Sequence, residues 1–133
     1  VTATVAAVVL AIPLAAIRGQ AARQVPTALT QPLRQIPQGT HVISDGDLSG
    51  WLMFQAPQLR PVFDIRIEVY SAAHVRGYIA ALSAQPGWTA YLARTQARAA
   101  LLKADAPLVS ALGNQWHWTV VAADRGYVLM EPR

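Results

Sequence analysis

The chain has no cysteine. Disulfides, thiolate zinc sites and thiol catalysis are therefore excluded, although the compartment is not fixed. Lysine is nearly missing as well: Lys103 is the single lysine among eleven basic residues. The arginines are scattered, with no dense basic run and no alternation of basic and aromatic residues. A formal net charge of +4 therefore does not point to nucleic acid, which such a run or alternation would mark. There is no G-x-G-x-x-G or P-loop, so nucleotide binding lacks support. No serine sits in a G-x-S-x-G elbow. His41, His74 and His117 lack metal-ligand spacing, and His74 falls opposite the expected apolar stripe of its helix, facing solvent. Asp45-Gly46-Asp47 is half an acidic loop without the closing Glu of a calcium site, and reads as a turn and helix cap. No metal and no cofactor is expected.

What is present is apolar: 53% of the 133 residues are hydrophobic, while only 14% are charged. Residues 1–17, VTATVAAVVLAIPLAAI, hold no charge at all. They read as the end of a transmembrane helix, since a span needs roughly 20 apolar residues and tolerates a proline such as Pro13. Arg18 and Arg23 directly after it weigh toward a cytoplasmic flank. Residues 18–39 form a proline-containing connector, in which TALTQPLRQI can make a short helix with Leu29, Leu33 and Ile36 on one side.

Residues 40–133 alternate strand and helix signals and form the expected α/β domain. Strands are predicted at Thr40–Ser44, Pro61–Ile67, Ala99–Ala104, Trp116–Ala123 and Tyr127–Met130. Helices are predicted over 48–55, from the N-cap Ser71 to Gln85 with Ala72, Val75, Ile79 and Leu82 inward, over 88–97, and from Asp105-Pro107 to Leu112 with Gly113 as the stop. The three residues Asp124-Arg125-Gly126 demand an antiparallel hairpin. The sum is a small three-layer sheet of about five strands, mostly parallel, ending in that hairpin and preceded by a membrane-type helix.

Several short motifs share an order with a known family. They are Gly50-Trp51-Leu52, Val62-Phe63-Asp64-Ile65-Arg66, Glu68-Val69-Tyr70, the run from Pro107 to Leu112, Trp116 with Val120, and Asp124 with Tyr127-Val128-Leu129. Over residues 40–131 this order resembles the C-terminal soluble region of bacterial GT-C-type membrane glycosyltransferases. These use polyprenyl-phosphate sugars and are related to mannosyl- and arabinosyltransferases. The family often has Gly-Gly where this chain has Ser49-Gly50, and Gly where it has Ile65. The resemblance implies a domain on the extracytoplasmic side of the bacterial cytoplasmic membrane. It implies acidic catalytic residues elsewhere in the parent protein, so that this part is not itself catalytic. The implied partners are the membrane, the rest of the parent transmembrane protein and a lipid-linked sugar. The alternative is a free-standing, membrane-anchored α/β binding or interaction module.

Asp64, Arg66 and Glu68 alternate along the expected second strand and so would share one face, with Tyr70 just beyond. Arg66 between two carboxylates can grip a phosphate or sugar carboxylate, or can form a structural ion-pair knot. A pair of carboxylates also suggests glycoside hydrolysis, a chemistry that depends on their separation. With Gly50 and Trp51 from the first motif, Asp64, Arg66, Glu68 and Tyr70 make up the candidate ligand-binding set. Trp116 and Trp118, on one face of their expected strand, offer either sugar stacking or core packing.

Overall fold

The structure, a computed structural model, describes residues 25–133. Five strands build one sheet in the order β2-β1-β3-β5-β4. They are β1 (His41–Ser44), β2 (Arg60–Pro61), β3 (Ala97–Lys103), β4 (Thr119–Asp124) and β5 (Tyr127–Glu131). Five α-helices accompany them: α1 (Thr30–Gln35), α2 (Ser49–Gln55), α3 (Ala72–Leu82), α4 (Trp88–Thr95) and α5 (Pro107–Trp116).

Alternation along the central strands explains the three layers. Ala99 and Leu101 of β3, with Tyr127 and Leu129 of β5, enter one core alongside Leu33 of α1 and Leu52 of α2. Ala100, Leu102, Val128 and Met130 enter the other, with Tyr78 of α3, Leu92 of α4 and Leu108 and Leu112 of α5. A strand with apolar residues on both faces must be covered on both, which only the central strands of a layered fold achieve. The first core reaches back through Ile36, Leu33 and Leu29, the side predicted for the short helix in the connector.

The sheet is mixed rather than mostly parallel. β1 runs parallel to β2 and β3, whereas β5 is antiparallel to both β3 and β4. The expected hairpin exists, but it does not simply extend the edge. β5 lies inside, between β3 and β4, because its apolar, buried run Tyr127-Val128-Leu129-Met130 is the better filling for an interior position than the half-exposed β4. Arg125 (φ 49°) and Gly126 (φ 80°) both take left-handed conformations, as the tight turn of a twisted hairpin requires.

Three local expectations are corrected. The second strand ends at Pro61, not Ile67. Val62 still donates to the Val42 carbonyl (2.9 Å), but then the Asp64 carboxylate takes the Arg66 amide (2.8 Å) and turns the chain. Such a side-chain turn competes directly with strand pairing. The α3 stripe is rotated: Tyr78 and Ala81 are buried, whereas Ala72 and Ile79 face solvent. Helix α5 passes through Gly113 to Trp116 and stops at the left-handed His117 (φ 57°), where Trp118 donates to the Leu112 carbonyl (3.1 Å). Trp116 is thus helical and β4 begins only at Thr119. The N-cap at Ser71 is as predicted, its hydroxyl accepting from the His74 amide at 3.1 Å.

The apolar segment 1–17, expected to be a membrane helix, lies outside the described residues. Among the described residues no helix is long and apolar enough to cross a membrane.

Candidate functional site

The parallel strands β1, β2 and β3 end on one edge of the sheet. Asp45 follows β1, the 62–70 segment follows β2, and Lys103 ends β3 opposite Tyr127 at the hairpin. In an open α/β sheet this edge is where loops carry ligands. The chain also arrives here: Arg125 of the hairpin donates to the Val25 carbonyl (3.2 Å), and Asp124 accepts from the Ala28 amide (3.0 Å).

Asp64 is 3% exposed. Arg66 holds it through Nε at 3.1 Å to both carboxylate oxygens and Nη2 at 2.6 Å to Oδ2. The arginine hydrogen bonds, with a further one from Tyr70, hold the Asp64 carboxyl below its ordinary range, overcoming the opposing effect of burial. A group so stabilised as an anion is a poor proton donor, which removes it as the acid of a glycoside-hydrolysing pair. Glu68 lies in the turn Ile67–Val69, exposed, and does not share a strand face with Asp64. The trio therefore separates. Asp64, Arg66 and Tyr70 form one clasp, and Glu68 stands outside it.

Beneath the clasp runs a column of aromatic rings that sequence reasoning missed. Tyr78 stacks on Phe63 (4.1 Å between centroids), Phe63 on Tyr70 (4.9 Å) and Tyr70 on His74 (4.9 Å), with Tyr91 tilted against His74 at 5.4 Å. His74 is not solvated. Its Nε2 lies 2.8 Å from the Val62 carbonyl, an acceptor only, so that nitrogen carries the proton, and the Tyr91 hydroxyl lies 3.2 Å away. The signal was His74 and Tyr78, four residues apart on one side of α3, with Tyr70 just ahead of the Ser71 N-cap. Burial pushes the Tyr91 hydroxyl up to about 12 and Tyr78 higher still, so both remain protonated at neutral pH.

Tyr78 donates to the Ser44 carbonyl at 2.6 Å, fastening α3 to the end of β1. The Ser44 hydroxyl itself is fully buried and has no hydrogen-bond partner among the described residues. A buried, unpaired hydroxyl opposes folding. Ser44→Ala is thus expected to leave urea-unfolding stability unchanged or raise it by up to about 1 kcal/mol. A loss of that size instead would mean the hydroxyl is satisfied by bound water.

Gly50 and Trp51 are not part of this cluster. Gly50 is exposed on α2, and Trp51 packs against the opposite core. Among the described residues no three His, Asp or Glu side chains are grouped to hold a metal ion. The other notable feature is at the far edge of the sheet. There Gly39, Thr40, His41, Leu92, Gln96, Arg98, Trp116 and Trp118 line most of a cleft of about 660 Å³.

The geometry defines a three-layer α/β domain with a mixed five-stranded sheet, a clasped apolar loop on one edge and an aromatic cleft on the other. Comparison of the chain with protein families, with curated proteins and with solved structures found no match.

Proposed function

We propose that this chain is the non-catalytic, membrane-proximal domain of a multi-spanning bacterial glycosyltransferase that uses polyprenyl-phosphate sugars. It packs over the membrane core on the extracytoplasmic side and helps shape the groove for the acceptor or lipid-linked sugar. The observation that carries this reading is the loop beyond β2. Clasping Asp64 with Arg66 leaves Ile65, Ile67 and Val69 at 69%, 58% and 62% exposure. Three large apolar side chains on one short loop are a ridge that water disfavours and a partner surface would cover.

The ridge lies on the edge where the chain arrives at Val25, downstream of the uncharged 1–17 stretch. That edge also gathers acids. Of the seven in the chain, all but Glu131 lie on it: Asp45, Asp47, Asp64, Glu68, Asp105 and Asp124. Arg66 pairs with Asp64, Lys103 lies 3.9 Å from Asp47 and Arg125 is nearby, yet acids still outnumber bases on this edge, which suits a protein surface with basic loops better than anionic lipid alone. The covering surface in this reading is the parent protein's membrane core.

The test is a photo-crosslinking residue at position 67 of the full natural polypeptide in its own membrane. Crosslinks to apolar spans of the same polypeptide are expected, with none from position 38, an exposed site near the other edge. Crosslinks from position 67 only to separate soluble proteins would overturn the reading and leave an interaction module in its place.

A further inference from the structure

We propose that the cleft at the amino-terminal edge of β1 and β3 binds a sugar ring carrying an acidic group, either carboxylate or phosphate. It lies on the edge of the sheet opposite the proposed docking ridge, and the inference stands whether or not that docking occurs.

Three observations converge on the cleft. The first is its lining. Trp116 is the half-buried indole at the cleft, backed by the buried rings of Trp88 and Trp118 at centroid distances of 5.1 and 6.1 Å. Indole faces stack on the apolar C–H faces of a sugar, while His41, Gln96 and Thr40 supply groups for its hydroxyls. A volume of about 660 Å³ is within the range of small-molecule sites.

The second is that the backbone departs from regularity where it meets the cleft. His41 pairs with Ala97 and Val42 with Ala99, so Arg98 is an extra residue with no partner across the strand. Bulges are rare between parallel strands, and they re-aim side chains near sites. Here the bulged residue is Arg98, which lines the cleft. Just before it, Gln96 closes α4 in a left-handed conformation (φ 55°), where glycine would be free of steric cost. Ala84, His117 and Arg125 take the same conformation, but Gln96 is the one of the four that lines the cleft.

The third is charge. Arg98 has no carboxylate partner among the described residues. Arg60, beside His41 in the sheet, and Arg133 share this edge, against a single acid, Glu131. With nearly all acids gathered at the opposite edge, the field draws anions to this one. Arg98 offers a planar fork suited to carboxylate or phosphate.

The experiment is calorimetric titration of the full polypeptide in detergent with glucose 1-phosphate, glucuronate, glucose and inorganic phosphate. Both charged sugars are expected to bind at least ten-fold more tightly than glucose or phosphate alone. Arg98→Gln, at an exposed position, should remove that preference and leave the weak binding of glucose unchanged. Gln96→Gly should raise the midpoint of thermal unfolding and yet weaken charged-sugar binding several-fold. A purely structural role for Gln96 cannot give that combination. Trp116→Phe should weaken charged and neutral sugars alike. If phosphate binds as well as glucose 1-phosphate, the cleft is an anion site only and the sugar assignment fails. If no probe binds at millimolar concentration with the fold intact, the proposal fails outright. Preference for glucuronate or for glucose 1-phosphate identifies the acidic group.

Discussion

Asp64→Asn lowers the unfolding free energy by about 1–3 kcal/mol at neutral pH, the range for losing charge-assisted hydrogen bonds at a buried acceptor. The substitution keeps the shape of the side chain but faces the Arg66 guanidinium with an amide in place of an anion. It also weakens the acceptor that takes the Arg66 amide and turns the chain out of β2. The pH dependence has a definite sign. The Asp64 pKa is lowered from its ordinary 3.8 by folding, so its stabilisation is complete above that value. It is lost as pH falls through the lower, folded value. Denaturant unfolding of the two proteins should therefore differ most above about pH 5 and converge in strong acid. A constant difference down to pH 2 would show that the charge of Asp64 is not what holds the loop. Arg66→Lys should recover little, since an ammonium cannot span both carboxylate oxygens as the fork does.

Gly77→Ala has an expected effect of the same size and of unusual sign. In a helix interior this change ordinarily stabilises by about 1 kcal/mol. In α3 a Cβ at Gly77 would sit 2.7 Å from Cδ2 and 3.2 Å from Cε2 of Tyr91. The ring has little room to yield: its hydroxyl meets His74, and the Arg94 guanidinium lies 5.5 Å from its centroid. Overpacking of this kind costs about 1–3 kcal/mol, enough to reverse the helix gain. The cycle with Tyr91→Leu decides it. On that background Gly77→Ala should turn neutral or stabilising, and the difference is the coupling between α3 and α4. Stabilisation by Gly77→Ala with Tyr91 present would mean that the two helices do not approach as described.

Much of the scaffold can be read from local pattern. Short continuous apolar runs locate β3 and β5, the tight turn around Arg125-Gly126 forces the hairpin of β4 and β5, Ser71 and Pro107 mark helix starts, and Leu29, Leu33 and Ile36 mark a buried face. What local pattern cannot supply is partner choice. That β5 inserts beside β3 follows from packing both its faces, which no turn signal reveals. The 61–67 segment reads as strand by composition, but Asp64 offers its own amide acceptor and bends the chain. That bend breaks the shared face expected of Asp64, Arg66 and Glu68, while keeping the Asp64–Arg66 contact that alternation on a strand also suggested. Counting only aliphatic residues hid the true face of α3, where His74 and Tyr78 do the packing. The cleft is legible only in three dimensions, since it joins residues 39–41, 92–98 and 116–118 around a bulge that no composition signals.

The proposed function rests on the exposed ridge of Ile65, Ile67 and Val69 and would have a larger membrane protein cover it. The most direct measurement is the intact mass of the natural polypeptide in the membrane fraction of its cells. A mass several-fold above 14.3 kDa, with apolar spans upstream of Val1, is the predicted result. A polypeptide of about 14.3 kDa released into the soluble fraction would contradict it.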